Sequence, residues 1–169
     1  MNNQTDTKFL DISKLLSGEI GVIPFDSGEI PFPNESDEIS VSSLHFSGTA
    51  KDVSGFIRLI GSVQGKYSAP CGRCLAPVTE DFTIELDYAV VTVPTDSEEE
   101  TVVAEGQKID LAALAEEAVL LNRPLRLLCR EDCKGLCPKC GKNLNTDSCL
   151  CQQKEIDPRL AGLADFFKD

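Results

Sequence analysis

Eight cysteines constrain this chain more than any other feature of its 169 residues. Two pairs have Cys-x-x-Cys spacing, Cys71 with Cys74 and Cys137 with Cys140. The opening residues, MNNQTDTKFLD, lack the basic and apolar segments of a secretory signal. Disulfide frameworks belong mainly to exported proteins, because the cytosol keeps thiols reduced. We therefore expect a cytoplasmic protein whose thiols serve metal binding or redox chemistry.

The cysteine spacing favours zinc. Zinc takes four tetrahedral ligands at about 2.0–2.3 Å, and two thiolates separated by two residues can reach one ion from a tight turn. Gly141 follows the second pair and permits a positive φ that lets backbone N–H groups point at the sulfurs. We predict one or two zinc ions. The predicted metal ligands are Cys71, Cys74, Cys129, Cys133, Cys137, Cys140, Cys149 and Cys151.

Two allocations of these cysteines stay open. In the first, the four cysteines between residues 137 and 151 span fifteen residues and close on one ion without long-range organisation. Cys71 and Cys74 would then join Cys129 and Cys133 and staple two halves of the chain together. In the competing allocation, the two Cys-x-x-Cys turns share one ion. The other four cysteines are then free or bind a second ion.

A thiol redox sensor or oxidoreductase is the alternative to zinc. Catalytic dithiols usually lie at a helix N-terminus in a βαβ setting, and neither Cys-x-x-Cys turn has that context. The redox alternative predicts disulfides under mild oxidant without unfolding, whereas zinc predicts unfolding by a chelator. All-cysteine zinc sites are typically closed, and the rest of the chain offers one histidine, no tryptophan and two tyrosines. We therefore expect no catalytic residue, no small-molecule substrate and no enzyme activity.

The hydrophobic pattern predicts an α+β fold. Apolar and polar residues alternate over 57–68 and 82–90, which predicts two long half-buried strands with Cys71-Gly-Arg-Cys74 near the hairpin tip. Asp110 is a predicted N-cap for a helix that packs on the sheet. We expect a curved antiparallel sheet that could close into a barrel, one packed helix, a C-terminal cysteine-rich zinc module and a closing helix.

This pattern divides the chain into three parts. They are a β-rich acidic domain at 1–123 with the packed helix, the zinc module at 124–155, and a C-terminal helix at 156–169 that packs back on the domain. Within the first part, the spacing from Phe9 to Leu16 predicts a short helix, and the proline-rich stretch 24–38 predicts a loop.

Charge is unevenly distributed around a net value of −12. Residues 1–118 carry 7 Lys and Arg against 21 Asp and Glu, whereas residues 119–160 carry 8 against 5. Basic side chains contact nucleic-acid phosphates, and here they coincide with the cysteines. The basic side chains of this region are Arg123, Arg126, Arg130, Lys134, Lys139 and Lys142. The longest apolar run, Leu111 to Ala115, is far shorter than the roughly 20 residues of a membrane span, so we expect no membrane contact.

Several segments together resemble the YceD family. They are Cys71-Gly-Arg-Cys74-Leu75, residues 124–144 (PLRLLCREDCKGLCPKCGKNL), Cys149-Leu-Cys151, Asp157-Pro-Arg-Leu160, and the opening Asp11-Ile-Ser-Lys-Leu-Leu-Ser-Gly18-Glu-Ile. Members are described as large ribosomal RNA subunit accumulation proteins, and no catalytic residue is established for the family.

The resemblance implies a non-enzymatic factor in ribosome biogenesis. Such a factor supports accumulation of large-subunit ribosomal RNA, or assembly of the large subunit, by binding that RNA or a basic ribosomal protein. If RNA is the partner, the candidate RNA contacts are the basic side chains of the cysteine-rich region, Arg123, Arg126, Arg130, Lys134, Lys139 and Lys142. The acidic first half suits the protein partner. A zinc-ribbon transcription accessory protein is a further alternative, which predicts co-purification with RNA polymerase.

Overall fold

The structure, a computed structural model, describes residues 8–33, 39–93 and 100–151. Strands predominate in these residues, and no helix among them is long and apolar enough to cross a membrane. The elements in chain order are β1 (Phe9–Asp11), α1 (Ser13–Leu16), β2 (Val22–Ile30), β3 (Ser40–Val53), β4 (Phe56–Pro70), β5 (Pro77–Val91), β6 (Thr101–Val103), β7 (Lys108–Asp110) and α2 (Leu111–Asn122).

Five strands form the main sheet, in the order β2-β3-β4-β5-β6. Neighbours from β2 to β5 are antiparallel, as predicted, but β6 pairs parallel with β5, so the sheet is mixed. The expectation that the sheet could close into a barrel is wrong, because β2 and β6 do not pair with each other. Helix α2 and the separate β1–β7 pair lie on the apolar side instead and complete the core there.

The long hairpin β4–β5 confirms the predicted alternation. Leu59, Val63 and Tyr67 of β4 are buried on one face, while Gln64 and Lys66 between them are exposed on the other. Successive side chains of a strand point to opposite faces, so one face meets the core and the other meets solvent. The turn that joins β4 to β5 carries the first Cys-x-x-Cys pair, which confirms its predicted place at the hairpin tip.

Helix α2 begins at the predicted N-cap. The carboxylate of Asp110 accepts hydrogen bonds from the N–H groups of Ala112 and Ala113, both at 3.0 Å. The helix buries Leu111, Leu114, Ala115, Ala118 and Val119.

After α2 the chain returns to the hairpin tip. Leu127 is buried in the main core, and its carbonyl accepts a 2.9 Å hydrogen bond from the N–H of Gly72. The helix and this return therefore carry the later cysteines to the first Cys-x-x-Cys turn.

Residues 9–30 depart from expectation. The predicted helix over 9–16 is confined to Ser13–Leu16, because Phe9–Asp11 instead pairs with β7. The predicted loop at 24–38 is wrong for its first half, which continues the edge strand β2 to Ile30. Pro24 is tolerated in β2 because β2 is an edge strand. Proline has no N–H to donate to a neighbouring strand, and only an edge strand can do without that hydrogen bond.

The predicted closing helix at 156–169 lies outside the described residues, as do residues 34–38 of the predicted loop. The three-part domain division stays a prediction.

Candidate metal centres

The structure brings four cysteines together at the hairpin tip. We call Cys71, Cys74, Cys129 and Cys133 the first group, and their sulfurs all lie within 4.8 Å of one another. The Sγ atoms of Cys71 and Cys133 are 3.9 Å apart, and those of Cys74 and Cys129 are 3.6 Å apart. Only Cys129 is exposed. This group joins the β4–β5 turn to the segment that follows α2.

The other four cysteines form a second group, Cys137, Cys140, Cys149 and Cys151, whose sulfurs also lie within 4.8 Å of one another. The Sγ of Cys149 is 3.3 Å from that of Cys137 and 3.5 Å from that of Cys140. Both groups match the first allocation. The competing allocation, in which the two Cys-x-x-Cys turns share one ion, is wrong, because each turn belongs to a different group.

The sulfur spacing fits a tetrahedral metal centre. With Zn–S bonds of about 2.3 Å, the edge of a regular tetrahedron of sulfurs is about 3.8 Å. The observed 3.3–3.9 Å separations lie close to that edge. A disulfide would need about 2.05 Å, and all eight cysteines are free thiols. Each group could therefore hold one ion through four sulfurs.

The two Cys-x-x-Cys turns have the same backbone hydrogen bonds. In residues 71–76 and 137–142, the N–H of the residue after the second cysteine donates to the carbonyl of the first, at 3.0 and 2.9 Å. The N–H of the first cysteine donates to the carbonyl two positions past the second, that of Ala76 or Lys142, at 2.7 and 2.8 Å. These bonds fold the backbone of each turn around its two sulfurs. Each pair is therefore preorganised to bind the ion of its own group.

The thiols within each group differ in acidity. Backbone N–H groups, first that of Cys129, donate to the sulfur of Cys71 and lower the pKa of its thiol to about 6. Backbone N–H groups, first that of Cys140, likewise lower the pKa of Cys137 to about 6. Desolvation raises the pKa of Cys129 to about 12, and hydrogen bonding among the cysteines raises the pKa of Cys151 to about 12. Four adjacent thiolates repel one another, so full deprotonation requires a cation in their midst.

Two residues that the sequence analysis did not identify as part of the site make hydrogen bonds within the first group or beside it. Nη1 of Arg73 donates to the carbonyls of Glu131 and Cys133, both at 2.9 Å, and so ties the hairpin turn to the later segment. Nδ2 of Asn145 donates to the Sγ of Cys133 at 3.4 Å. The position of Arg73 between Cys71 and Cys74 is a sequence signal that could have identified it, whereas no sequence signal marks Asn145.

The candidate RNA contacts have different surroundings. Arg123 is half-buried and donates from Nη2 to the carbonyl of Ile39 at 2.6 Å. Arg130 donates to Oδ1 of Asn145 at 2.7 Å and pairs with Asp132 at 3.3 Å. These two arginines therefore have structural partners. Of the six candidates, Arg123 alone is half-buried, and the other five are exposed, namely Arg126, Arg130, Lys134, Lys139 and Lys142.

An open groove of about 660 Å³ lies between β4–β5 and the segment after α2. Arg126 and Arg130 line it, together with the rings of Tyr67 and Phe82, which stack with centroids 4.1 Å apart and planes 24° apart. The buried hydroxyl of Tyr67 has no hydrogen-bond partner among the described residues. Other polar lining residues are Thr79, Glu80, Asn122 and Glu131. The groove thus combines aromatic rings, guanidinium groups and hydrogen-bonding side chains.

The chain is a small α+β protein with a mixed sheet covered by one helix. It has one four-cysteine group at the hairpin tip and a second in residues 137–151, and both are candidate metal centres. Comparison with known proteins adds the family. The family model described as "Large ribosomal RNA subunit accumulation protein YceD" matches residues 59–167, more than half of the chain. This chain belongs to the YceD family.

Individual relatives agree with this assignment. The chain is 28% identical to the uncharacterized protein YlbN of Bacillus subtilis, over 79% of each chain. It is 32% identical to an uncharacterized protein of Mycobacterium tuberculosis, over 68% of this chain and 58% of that protein. It is 38% identical, over 31% of its length and 16% of the other, to the chloroplastic large ribosomal RNA subunit accumulation protein YCED homolog 1 of Arabidopsis thaliana. No solved structure is significantly similar to the chain.

Proposed function

We propose that this protein is a non-enzymatic factor that acts in the cytoplasm and supports accumulation of large-subunit ribosomal RNA by binding that RNA. The family description and the name of the Arabidopsis relative support the biological role. The chain spans 55–58% of the length of its mycobacterial relatives. The role is therefore proposed for this chain from its own residues.

We further propose zinc as the ion of both cysteine groups. Four sulfur ligands suit zinc, whose all-cysteine sites are closed and structural. None of residues 129–151 belongs to the main core, and a segment of that kind needs a source of folding energy other than burial in it. The zinc ions would hold this segment against the hairpin and fix the groove wall that carries Arg126.

The groove is the observation that supports RNA as the partner. Bases of single-stranded RNA stack on aromatic rings and guanidinium planes, and arginines neutralise phosphates. Phe82 supplies a half-buried ring, Arg126 an exposed guanidinium, and Glu80 a carboxylate that can accept from a base amino group. A basic ribosomal protein would favour the acidic outer face of the sheet, where Asp81 and Asp87 already pair with cationic side chains across β4–β5.

A charge reversal in the groove tests this proposal. The Arg126→Glu variant should bind labelled large-subunit ribosomal RNA fragments at least tenfold more weakly than the wild-type protein, since one phosphate contact is lost and one repulsion is added. Lys14→Glu is the matched control, because Lys14 is exposed on α1 and does not line the groove. In cells depleted of the protein, wild type and Lys14→Glu should restore the ratio of large to small ribosomal RNA, whereas Arg126→Glu should not.

Other outcomes identify the other partners. Equal RNA affinity for both variants, or no RNA binding by the wild-type protein, would overturn the RNA proposal. Capture of a basic ribosomal protein would then transfer the contact to the acidic sheet face. Co-purification with RNA polymerase would favour a transcription accessory role. Reversible disulfides that leave the protein folded would favour a redox sensor.

A further inference from the structure

Asn145 lies between two cysteines of the second group in the sequence, but its side chain contacts a cysteine of the first group. It lies in the loop between Cys140 and Cys149 of the second group. Its Nδ2 atom nevertheless donates to the Sγ of Cys133, in the first group, at 3.4 Å. Cys133 is almost fully buried, so its sulfur meets this donor away from water. The side chain therefore connects a loop bounded by cysteines of the second group to a sulfur of the first group.

The hydrogen-bond partners of Asn145 fix the orientation of its amide. Oδ1 accepts from the N–H of Lys134 at 2.8 Å and from the guanidinium of Arg130 at 2.7 Å. Because both of these partners are donors, the oxygen must face them and the nitrogen must face the sulfur. The second amide hydrogen is also used, by Oδ1 of Asn143 at 2.8 Å. Every polar atom of this side chain thus has a defined partner.

The loop that carries Asn145 is tied at both ends by the second group. Cys140 precedes it and Cys149 follows it, with their sulfurs 3.5 Å apart. Between these ends, the N–H of Leu144 donates to the carbonyl of Gly135 at 2.9 Å, which holds the loop against the segment that leads from the first group. An ion bound by Cys140 and Cys149 would fix the position from which Asn145 reaches Cys133.

We infer that Asn145 couples the two candidate metal sites, so that each group binds its ion more tightly when the other group is filled. Donation to a thiolate ligand stabilises its charged form and orients it, and loss of such a supporting contact typically costs 10–100-fold in metal affinity. The coupling must be reciprocal, because it is a free energy shared by two sites. This inference rests on the proposed metal binding and is independent of the RNA contact.

Four variants isolate the coupling. Asn145→Leu keeps the size of the side chain and removes both its donor and its acceptor. Thr146→Ala is the matched control, because Thr146 lies in the same loop and its hydroxyl contacts Asn143 and Asp147 but no sulfur. Cys129→Ser and Cys140→Ser each remove an exposed ligand, from the first and the second group respectively. Exposed positions are chosen so that the sheet folds in every variant.

The measurement is a titration of the full-length protein with Co²⁺, whose thiolate absorption reports each filled site, followed by competition with Zn²⁺ and a chelator. Asn145→Leu should weaken the first group by about tenfold. Cys140→Ser should weaken the first group by a similar factor, and adding Asn145→Leu to Cys140→Ser should change it little further. Cys129→Ser should weaken the second group in turn, whereas Thr146→Ala should leave both affinities unchanged.

Three results would overturn the inference. One is a first group whose affinity is the same with and without Cys140. Another is an Asn145→Leu effect that multiplies fully with the Cys140→Ser effect, because independent perturbations are additive in free energy. The third is a wild-type protein that takes up no Co²⁺ or Zn²⁺, which would remove the metal proposal as well. Failure of RNA binding with intact coupling would instead overturn only the proposed RNA contact.

Discussion

Leu75 and Gly141 hold the same position in the two Cys-x-x-Cys turns, one residue past the second cysteine, and both have left-handed backbones with φ of 62° and 70°. The N–H of each donates to the carbonyl of the first cysteine of its turn. The turns therefore need a positive φ at this position. Glycine meets that need without strain, whereas leucine does so against its preference.

Leu75→Gly should stabilise the metal-loaded protein. A left-handed conformation costs a non-glycine residue about 1–2 kcal/mol, and glycine would remove that cost. The greater conformational entropy of glycine in the unfolded chain offsets part of the gain in stability. The leucine side chain is 66% exposed, so its removal loses little buried area. We expect a net gain of about 0.5–1 kcal/mol in chemical denaturation.

The reverse change in the second turn is the control. Gly141→Ala should lower the free energy of unfolding by about 1 kcal/mol, since a Cβ there meets no atom within 4 Å and only the backbone conformation is penalised. Equal destabilisation by Leu75→Gly and Gly141→Ala would contradict the equivalence of the two turns.

Arg73→Lys should loosen the contact between the hairpin and the segment after α2. Nη1 of Arg73 reaches two carbonyls, those of Glu131 and Cys133, whereas lysine ends in a point charge without the planar fork. We expect a loss of about 1–2 kcal/mol, because hydrogen bonds from charged groups contribute more than neutral ones but this site is partly exposed to water. Amide hydrogen exchange of residues 129–136 should accelerate, and that of the β4–β5 strands should not.

Lys51→Arg is a control for the change of cation, because Lys51 lies on β3, away from the cysteines. Unaltered exchange at residues 129–136 in Arg73→Lys would mean that the cysteine group alone holds this contact.

Gly135→Ala should be more damaging than Gly141→Ala, although the two glycines have nearly the same φ, 73° and 70°. A Cβ at Gly135 would lie 3.0 Å from the backbone oxygen of Arg73. That oxygen already accepts from the N–H of Leu136 and cannot withdraw freely. We expect a loss of about 2–3 kcal/mol in denaturation, the sum of backbone strain and a displaced contact. Similar losses for the two variants would show that the Arg73 contact is not tight.

The sequence predicted those features that depend on interactions between neighbouring residues. The alternation over 57–68 identified the buried face of β4, and Asp110 identified the start of α2, because periodicity and capping depend on neighbouring residues. The spacing from Cys137 to Cys151 suggested one of the two allocations left open by the sequence, and the structure has the cysteines grouped in that way.

The failures concern contacts between distant segments. The strand Phe9–Asp11 exists because it pairs with β7 about a hundred residues later, and no local pattern encodes that partner. The strain at Leu75 is likewise invisible, because the sequence alone does not give its φ. Asn145 acts through Cys133, and that contact depends on how the second group folds beside the first.

The last prediction separates the two cysteine groups by what their loss releases. Cys137→Ser should release one zinc ion and disorder mainly residues 134–152, leaving the sheet protected from hydrogen exchange. Cys71→Ser should release the other ion and free the hairpin tip from Cys129 and Cys133. Cys74 and Cys129 are 55 positions apart, whereas Cys140 and Cys149 are 9 apart. Opening the longer loop releases more chain entropy, by about 1.5 kcal/mol, so Cys71→Ser should destabilise the protein more. The same local pattern of exchange in both variants would mean that the two groups do not act as separate structural units.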